Sequence, residues 1–291
     1  DGVPEFSRSY LQQLIDVGLV SVNGRIVRKA SARVGVGDAL VIELKPTPQS
    51  QAFTPQAMPL EVVFQDEHIL VINKPAGLVV HPAPGNWSGT LLNGLLAYDK
   101  DFSLVPRAGI VHRLDKDTSG LMVVARSRTA MDRLIQAIAA REVSRQYLAV
   151  AHARWTGPTH KSVDLAIGRD PRNRLRMACV NLESQSGKAA RTDFVLLGNA
   201  EAGCFVQCIL HTGRTHQIRV HMASLGHPLV ADVVYGGSMV NAMQRQALHA
   251  FSLAFSHPMT EKPMAFESAP PDDFMELLQD WGLRYNPPFK G

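Results

Sequence analysis

Residues 112–125 read H-R-L-D-K-D-T-S-G-L-M-V-V-A, a charged stretch that leads into five apolar residues. The apolar residues predict a buried strand, so Asp115 lies in the loop that enters a rigid element, where catalytic groups are common. Three neighbours in this loop carry or can carry positive charge: His112, Arg113 and Lys116. Because nearby cations favour the ionised form of a carboxylate, Asp115 suits a nucleophile or general base. An ordinary ion pair on a surface loop is the alternative.

A second acidic residue, Asp117, follows two positions later in the same loop. The residues after it, Thr118-Ser119-Gly120, have a composition that is typical of a turn. We therefore expect the Asp117 side chain to accept hydrogen bonds from backbone N–H groups of the turn rather than to take part in chemistry.

Two further stretches are rich in polar residues: V-I-N-K-P-A-G-L-V-V-H-P at 71–82 and H-T-G-R-T-H-Q-I-R-V-H-M at 211–222. In the second stretch Gln217, Arg219 and His221 alternate with apolar residues. This alternation predicts a strand that presents one polar face.

The same stretch holds three histidines that could be read as zinc ligands: His211, His216 and His221. Their uniform spacing of five puts neighbours on opposite faces of a strand, or about 140° apart around a helix. The spacing therefore argues against a metal site.

The composition is typical of a soluble globular protein. A chain of 291 residues, 45% of them hydrophobic, can bury a core for one large or two unequal domains. No apolar run approaches the roughly 18 residues that cross a bilayer, and no signal pattern is present, so we expect a cytoplasmic protein. Because the chain begins at Asp1 rather than Met, we also expect a fragment or a processed form. Three cysteines without a close pair are expected to be core thiols: Cys179, Cys204 and Cys208.

Positive charge is concentrated in two segments, although the net charge of the chain is only +4. Residues 8–33 hold five basic residues against one Asp, and residues 169–176 hold four arginines against one Asp. The tail from residue 257 is acidic, with six Asp and Glu against three Lys and Arg. This asymmetry indicates a polyanionic partner, most simply a nucleic acid, with a solvated charged surface as the alternative.

A proline-rich stretch divides the chain. Residues 45–59 contain four prolines and no apolar periodicity, which predicts an extended linker. We therefore expect a small N-terminal domain at residues 1–46, a linker at 47–58 and a larger domain at 59–291.

The N-terminal segment combines a short helix with a hairpin. Ser7 or Ser9 can cap a helix that runs to Val17, and Asn23-Gly24 is a tight-turn signal before a second turn and an alternating strand. This pattern resembles the S4 RNA-binding domain with most of its first helix missing. The resemblance implies RNA phosphate contacts by four cations: Arg8, Arg25, Arg28 and Lys29.

The larger domain predicts many strands and few helices between them. Strands are expected at residues 60–64, 69–72, 121–125, 147–151, 194–197 and 205–210, and a helix with apolar i, i+3, i+4, i+7 spacing at 129–141. We therefore predict an α+β fold, in which a large mixed, mainly antiparallel sheet is flanked by helices and preceded by the small S4-like α+β module.

Taken together, H-R-L-D-K-D-T-S-G and G-R-T-H-Q-I-R-V-H resemble the RluA-type pseudouridine synthases, and the S4-like module points to D-type members of that family. The resemblance implies that Asp115 is the catalytic aspartate, Tyr147 the active-site tyrosine, and Arg219 the cation that pairs with the aspartate. It also implies that Arg113 enters the space left by a flipped-out uridine, with a simple phosphate contact as the alternative. Three more residues are candidates for RNA contact: Arg176, Arg214 and His216. Where D-type members usually show G-D-P-V-Y-G, this chain has A-D-V-V-Y-G at 231–236, which is a departure at a turn.

The activity implied by the resemblance is the isomerisation of uridine to pseudouridine in RNA, with the 23S RNA of the large ribosomal subunit as the expected target. Transfer RNA and other large-subunit uridines are alternatives, as is a non-catalytic RNA-binding factor in ribosome assembly. The expected partner is ribosomal RNA or a ribosomal precursor particle, bound by a monomer. No cofactor is expected, because the reaction is redox-neutral and the sequence has no phosphate-binding loop. A hydrolase that uses Ser119 is disfavoured, because the G-x-S-x-G context is missing.

Overall fold

The computed structural model describes residues 8–43, 48–174 and 176–286. Contacts between backbone positions divide the chain into two units. The first unit comprises residues 1–54 and 83–88, and the second comprises residues 55–82 and 89–291.

The first unit has one helix followed by a small antiparallel sheet. Its elements are α1 (Arg8–Asp16), β1 (Val20–Val22), β2 (Arg25–Ile26), β3 (Leu40–Ile42) and a 3-10 helix (Pro48–Phe53). The sheet has the order β2-β1-β3. The predicted hairpin turn is confirmed, because Asn23 and Gly24 have φ of 50° and 78°, the positive values that a tight two-residue turn requires. Of the two expected capping residues, Ser7 lies outside the described residues.

The extended conformation predicted for the linker at 47–58 is wrong for part of its length. Residues Pro48–Phe53 form a 3-10 helix, and Ala52 within it is buried. Proline is tolerated at the start of a helical turn, where its missing N–H has no partner to lose. The prolines therefore correctly indicated a segment without α-helix or β-strand, but they did not indicate an extended chain.

The second unit is built on one large sheet. Its strands are β4 (Glu61–Gln65), β5 (Ile69–Lys74), β6 (Ser119–Ala125), β7 (Ser144–His152), β8 (His160–Asp164), β9 (Ile167–Arg169), β10 (Met177–Cys179), β11 (Arg191–Asn199), β12 (Gly203–Leu210), β13 (Leu248–Ser256) and β14 (Pro263–Glu267). Among the described residues the sheet has nine strands in the order β4-β5-β6-β13-β7-β12-β11-β8, with β14 on β13, while β9 and β10 form a separate pair. Strands β6 and β13 are parallel, and the other pairs are antiparallel. The predicted mixed, mainly antiparallel sheet is confirmed.

Helices cover both faces of this sheet. They are α2 (Leu91–Tyr98), α3 (Arg128–Ala140), α4 (Gln217–Ser224) and α5 (Asp272–Asp280), with 3-10 helices at Lys100–Leu104 and Pro106–Gly109. Side chains alternate along β7, so that Tyr147 packs in the core that contains residues of α2 and α4. Leu148 points to the opposite face and packs in the core that contains residues of α5. The predicted helix at 129–141 is confirmed as α3, shifted by one residue.

The strand predicted for residues 211–222 is wrong, because α4 begins at Gln217. The six residues from Gln217 to Met222 are all buried, so the polar and apolar alternation does not separate an exposed face from a core face. The helix is held at its start by the Gln217 side chain, whose Oε1 accepts from Arg214 N at 3.0 Å and Thr212 Oγ1 at 2.7 Å. Local capping and complete burial therefore override the period-2 pattern.

Two of the three cysteines are core thiols, as predicted. Cys204 and Cys208 are fully buried, and burial raises the pKa of the Cys204 thiol to about 12. Cys179 is half-buried, so it fits the prediction less well. None of the helices in the described part of the chain has the length and apolar composition needed to span a bilayer.

Gly120, the last residue of H-R-L-D-K-D-T-S-G at 112–120, lies where β6 pairs with β13. Its φ is +118°, and a Cβ there would lie 2.3 Å from the carbonyl oxygen of Ala250. We expect Gly120→Ala to lower the free energy of unfolding by about 3 kcal/mol or more, because it adds backbone strain to a clash with rigid backbone. Denaturant unfolding of the protein measures this loss.

The matched control is Gly226→Ala, which has a positive φ of +81° but open space around the added Cβ. This variant should lose about 1 kcal/mol, from backbone strain alone. Equal losses in the two variants would contradict the close-approach argument.

Candidate active site

Asp115 lies in the loop between the 3-10 helix Pro106–Gly109 and β6. The loop turns by a backbone hydrogen bond from Thr118 N to Asp115 O at 3.2 Å. The Asp117 carboxylate accepts no hydrogen bond from the described residues, so its predicted role in the turn is wrong. Its carbonyl oxygen instead accepts from Arg245 NH1 at 3.0 Å.

Lys74 ends β5 and begins the motif K-P-A-G at 74–77, and its side chain contacts this loop. The side chain is buried, and its Nζ donates to the carbonyl oxygens of Pro75 at 2.8 Å, Leu78 at 2.9 Å and Lys116 at 3.0 Å. Burial lowers the pKa of Lys74 to about 7, against the opposing effect of the nearby carboxylates. Because Lys116 adjoins Asp115, this motif fixes the position of the carboxylate-bearing loop.

Arg219 joins two carboxylates. Its Nε and NH2 donate to Asp232 at 2.7 and 2.9 Å, and its NH1 donates to Asp115 Oδ2 at 3.1 Å. The Asp232 side chain is 1% exposed and that of Asp115 is 17% exposed. Hydrogen bonds and charge from the two carboxylates raise the pKa of Arg219 despite its burial, so it stays protonated. The two-pronged contact with Asp232 aims the remaining nitrogen at Asp115.

His216 and Tyr235 complete the surroundings of the ion pair. Tyr235 Oη accepts from Met177 N at 3.0 Å and lies 2.8 Å from His216 Nδ1, and the Tyr235 ring lies 5.0 Å from the Arg219 guanidinium. Burial lowers the pKa of His216, against the opposing charge of Asp115, which favours a neutral ring. The other ring nitrogen of His216, Nε2, lies 3.9 Å from Asp115 Oδ1.

Asp232 and Tyr235 were not predicted as site residues. Both belong to the A-D-V-V-Y-G stretch, which the sequence marked as a departure at a turn. The departure falls on two residues, Ala231 and Val233, and Ala231 has a φ of +60°, a conformation that glycine adopts more easily. Asp232 could have been predicted from the sequence, because a buried arginine needs acidic partners and Asp232 is an acidic residue close in sequence to Arg219.

A cavity of about 530 Å³ opens beside the ion pair. Among the described residues, six arginines are in its wall: Arg107, Arg113, Arg141, Arg145, Arg214 and Arg219. Tyr147 also lines the cavity, and burial raises its pKa to about 12, so its hydroxyl stays protonated at neutral pH. A polyanion is the kind of ligand that such a lining favours.

Six residues predicted for the site lie together at this cavity: Asp115, Tyr147, Arg219, Arg113, Arg214 and His216. Arg176 does not line it, because its Nε pairs with Asp170 Oδ2 at 2.6 Å. In the first unit Arg25, Arg28 and Lys29 are exposed, and Arg28 NH1 also donates to Asp16 O at 3.4 Å. The side chain of Arg8 lies outside the described residues.

The three histidines considered for zinc have separate partners. His211 Nε2 lies 2.6 Å from Asp193 Oδ2, and His216 contacts Tyr235 as described. The ring nitrogens of His221 lie 2.9 Å from Thr192 Oγ1 and 3.0 Å from Leu165 O. Residues 8–43, 48–174 and 176–286 contain no group of three or more His, Cys, Asp or Glu arranged to hold a metal ion.

Comparisons with known proteins agree with this geometry. Residues 68–224 match the family model described as RNA pseudouridylate synthase, and residues 4–40 match the S4 domain. The chain is 45% identical to ribosomal large subunit pseudouridine synthase D of Neisseria meningitidis serogroup B, over 95% of this chain and 75% of that protein. The protein of the same name from Xylella fastidiosa is 47% identical, over 94% of this chain and 85% of the relative.

Solved structures share the fold. Human RNA Pseudouridylate Synthase Domain Containing 4 aligns with a TM-score of 0.60 at 23% identity, over 77% of this chain and 94% of that chain. Human RNA Pseudouridylate Synthase Domain Containing 1 aligns with a TM-score of 0.58 at 24% identity, over 79% of this chain and 97% of that chain. The family model covers more than half of the chain, and the relatives named above align with nearly all of it. The chain therefore belongs to the RNA pseudouridylate synthase family, as the sequence motifs predicted.

Proposed function

We propose that this protein isomerises uridine to pseudouridine in the 23S RNA of the large ribosomal subunit, with Asp115 as the reacting carboxylate. The observation that carries the proposal is the ion pair of Asp115 with Arg219 at the wall of an arginine-lined cavity. The names of the relatives, ribosomal large subunit pseudouridine synthase D, support the choice of RNA. Transfer RNA remains the alternative substrate.

The target nucleotide enters the cavity by flipping out of its helix, because a stacked base cannot reach Asp115. Arg219 NH1 holds the Asp115 carboxylate in place, and Asp115 either attacks C1′ of the ribose or removes a sugar proton. Tyr147 holds the uracil. Burial raises the pKa of Tyr147 to about 12, so its hydroxyl is protonated at neutral pH and can donate a hydrogen bond to the base; removal of the C5 proton is the alternative role.

RNA is held by cations outside the reacting centre. Arg214 lines the cavity and suits contacts with the phosphates beside the flipped nucleotide. Arg113 also lines the cavity, and it either enters the space left by the uridine or contacts a phosphate. Arg176 is a weaker candidate, because Asp170 already neutralises it.

We propose an S4-like domain at residues 1–46, a linker at 47–58 and a catalytic domain at 59–291. In the first of these, Arg25, Arg28 and Lys29 would contact RNA phosphates, and Arg8 is a fourth candidate. The protein would act as a cytoplasmic monomer on ribosomal RNA or on ribosomal precursor particles.

Asp115→Asn should abolish pseudouridine formation and leave RNA affinity close to that of the wild type. The amide is nearly the same size but cannot attack a sugar carbon or take its proton. Carbodiimide-dependent reverse-transcription stops measure the product, and a binding curve measures affinity. The control is Asp117→Asn, which should stay active. Turnover in Asp115→Asn, or its loss in Asp117→Asn alone, would show that Asp115 is not the reacting carboxylate.

Arg219→Ala should slow the single-turnover rate at saturating enzyme far more than Arg176→Ala, by about 100-fold or more. The first change removes the partner of Asp115 and leaves Asp232 buried without a cation, so unfolding must be measured beside the rate. Arg219→Lys keeps the charge but cannot contact both carboxylates in the same way, and it should also be slow. A slower Arg176→Ala variant would contradict the role of the ion pair.

Replacing Arg25, Arg28 and Lys29 together by Gln should weaken RNA binding. It should also reduce the slope of log affinity against log salt by about 2 to 3, because fewer counterions are released. A matched variant replaces three exposed lysines of the second unit by Gln: Lys100, Lys161 and Lys262. Filter binding across a salt series compares the two, and equal slopes would contradict RNA binding by the S4-like domain.

A further inference from the structure

Arg145 differs from the other arginines of the cavity. It lies in β7, lines the cavity and is 7% exposed. Its guanidinium has no hydrogen bond or ion pair with any described residue, and its Nε is buried without an acceptor. A buried cation without a counter-ion is costly, so its presence beside a cavity points to a ligand that brings the missing acceptor.

His112 is a second donor without an acceptor in the same wall. Its Nε2 accepts from Val123 N at 3.1 Å, so the neutral ring carries its proton on Nδ1. That nitrogen is buried and has no partner among the described residues. Burial and the charge of Arg145 lower the pKa of His112 to about 3, which keeps the ring neutral. The wall thus offers a cation and a neutral donor to a ligand with several acceptors.

The position of Arg145 favours the base over the phosphates as this ligand. Arg145 precedes Tyr147 by two residues on β7, so both side chains are on the same face of the strand, and both line the cavity. Three other arginines of the wall are exposed and suit phosphates at its mouth: Arg107, Arg113 and Arg141. A flipped base reaches a buried donor, whereas the backbone phosphates stay near solvent.

We infer that Arg145 is a catalytic residue that binds the carbonyl oxygens of the uracil after it leaves the sugar. This inference rests on the proposed function. When the N1–C1′ bond breaks, its electron pair goes to N1, and the charge spreads to O2 and O4. C1′ is meanwhile either bonded to Asp115 or part of an alkene whose C2′ proton Asp115 holds.

The remaining steps balance without an oxidant or reductant. The uracil turns, the C5–C1′ bond forms with release of Asp115 or return of the C2′ proton, the C5 proton is lost and N1 gains a proton. Arg145 acts while the base is an anion, and a positive charge placed in advance stabilises that state most strongly. The unpaired guanidinium of Arg145 therefore finds its counter-ion in the uracil anion, which exists only during the reaction.

The test is Arg145→Gln in the full-length protein. We expect the single-turnover rate at saturating enzyme to fall by about 100- to 1000-fold, with RNA affinity and its salt slope close to wild type. Arg141→Gln shows what loss of a phosphate contact looks like, a salt slope reduced by about 0.9. The matched control for the rate is Arg154→Gln, an exposed arginine that does not line the cavity, and it should leave the single-turnover rate close to wild type. If Arg145→Gln reduces the slope and spares the rate, Arg145 binds a phosphate and the inference is wrong.

A substrate change identifies the oxygen. RNA with 2-thiouridine or 4-thiouridine at the target replaces O2 or O4 by sulfur, a weaker acceptor. One of the two should slow the wild-type protein and give no additional loss in Arg145→Gln, because the bond is already absent. Additive losses for both analogues would overturn the inference.

Stability separates this role from a structural one. Arg145→Gln should unfold at the same temperature as the wild type or a higher one, since it removes a buried charge without a partner. A clearly lower unfolding temperature would overturn the inference by giving Arg145 a structural role. Failure of the wild-type protein to form pseudouridine in any RNA would refute the proposed function instead, whereas an active wild type with an equally active Arg145→Gln refutes this inference alone.

Discussion

The site depends on one guanidinium that two carboxylates share. Asp232 is buried and holds two nitrogens of Arg219, so the cation cannot move to follow Asp115 and its third nitrogen has a set direction. Loss of one member of such a buried cluster leaves an uncompensated charge, which costs about 3–5 kcal/mol. The arrangement therefore fixes the position of Asp115 and places a positive charge beside it with the same contacts.

The fold serves to bring these groups together from distant parts of the chain. Asp115 precedes β6, Arg219 lies in α4 and Asp232 follows that helix. The loop of Asp115 is restrained on its C-terminal side by two features: Lys74 Nζ donates to Lys116 O, and Gly120 lets β6 lie against β13. Lys74 and Gly120, which do not contact the ion pair, thus determine where the Asp115 carboxylate lies.

The pattern of apolar residues in the sequence correctly predicted two kinds of element: helices that bury one face, and strands formed by an uninterrupted apolar run. Helix α3 followed from its apolar spacing, and β6 from five consecutive apolar residues. The alternating pattern wrongly predicted a strand at α4, because that helix is buried all round. The sequence also failed to predict β13, because His249 interrupts its apolar run. The ring nitrogens of His249 find hydrogen-bond partners in Ser119 Oγ and Ser268 O. The meeting of Asp115 with Arg219, 104 residues apart, came from family resemblance, because no local pattern specifies so distant a contact.

Two arginines of the cavity wall differ in whether the protein supplies a counter-ion. Arg219 pairs with two carboxylates of the protein, so its positive charge is already compensated before a ligand binds and its NH1 is directed at Asp115. Arg145 has no such partner among the described residues, and its field is available to whatever enters the cavity. An enzyme gains rate from interactions that are stronger in the transition state than in the ground state. A buried cation whose counter-ion appears only when the glycosidic bond breaks meets that condition, at the expense of stability in the free protein.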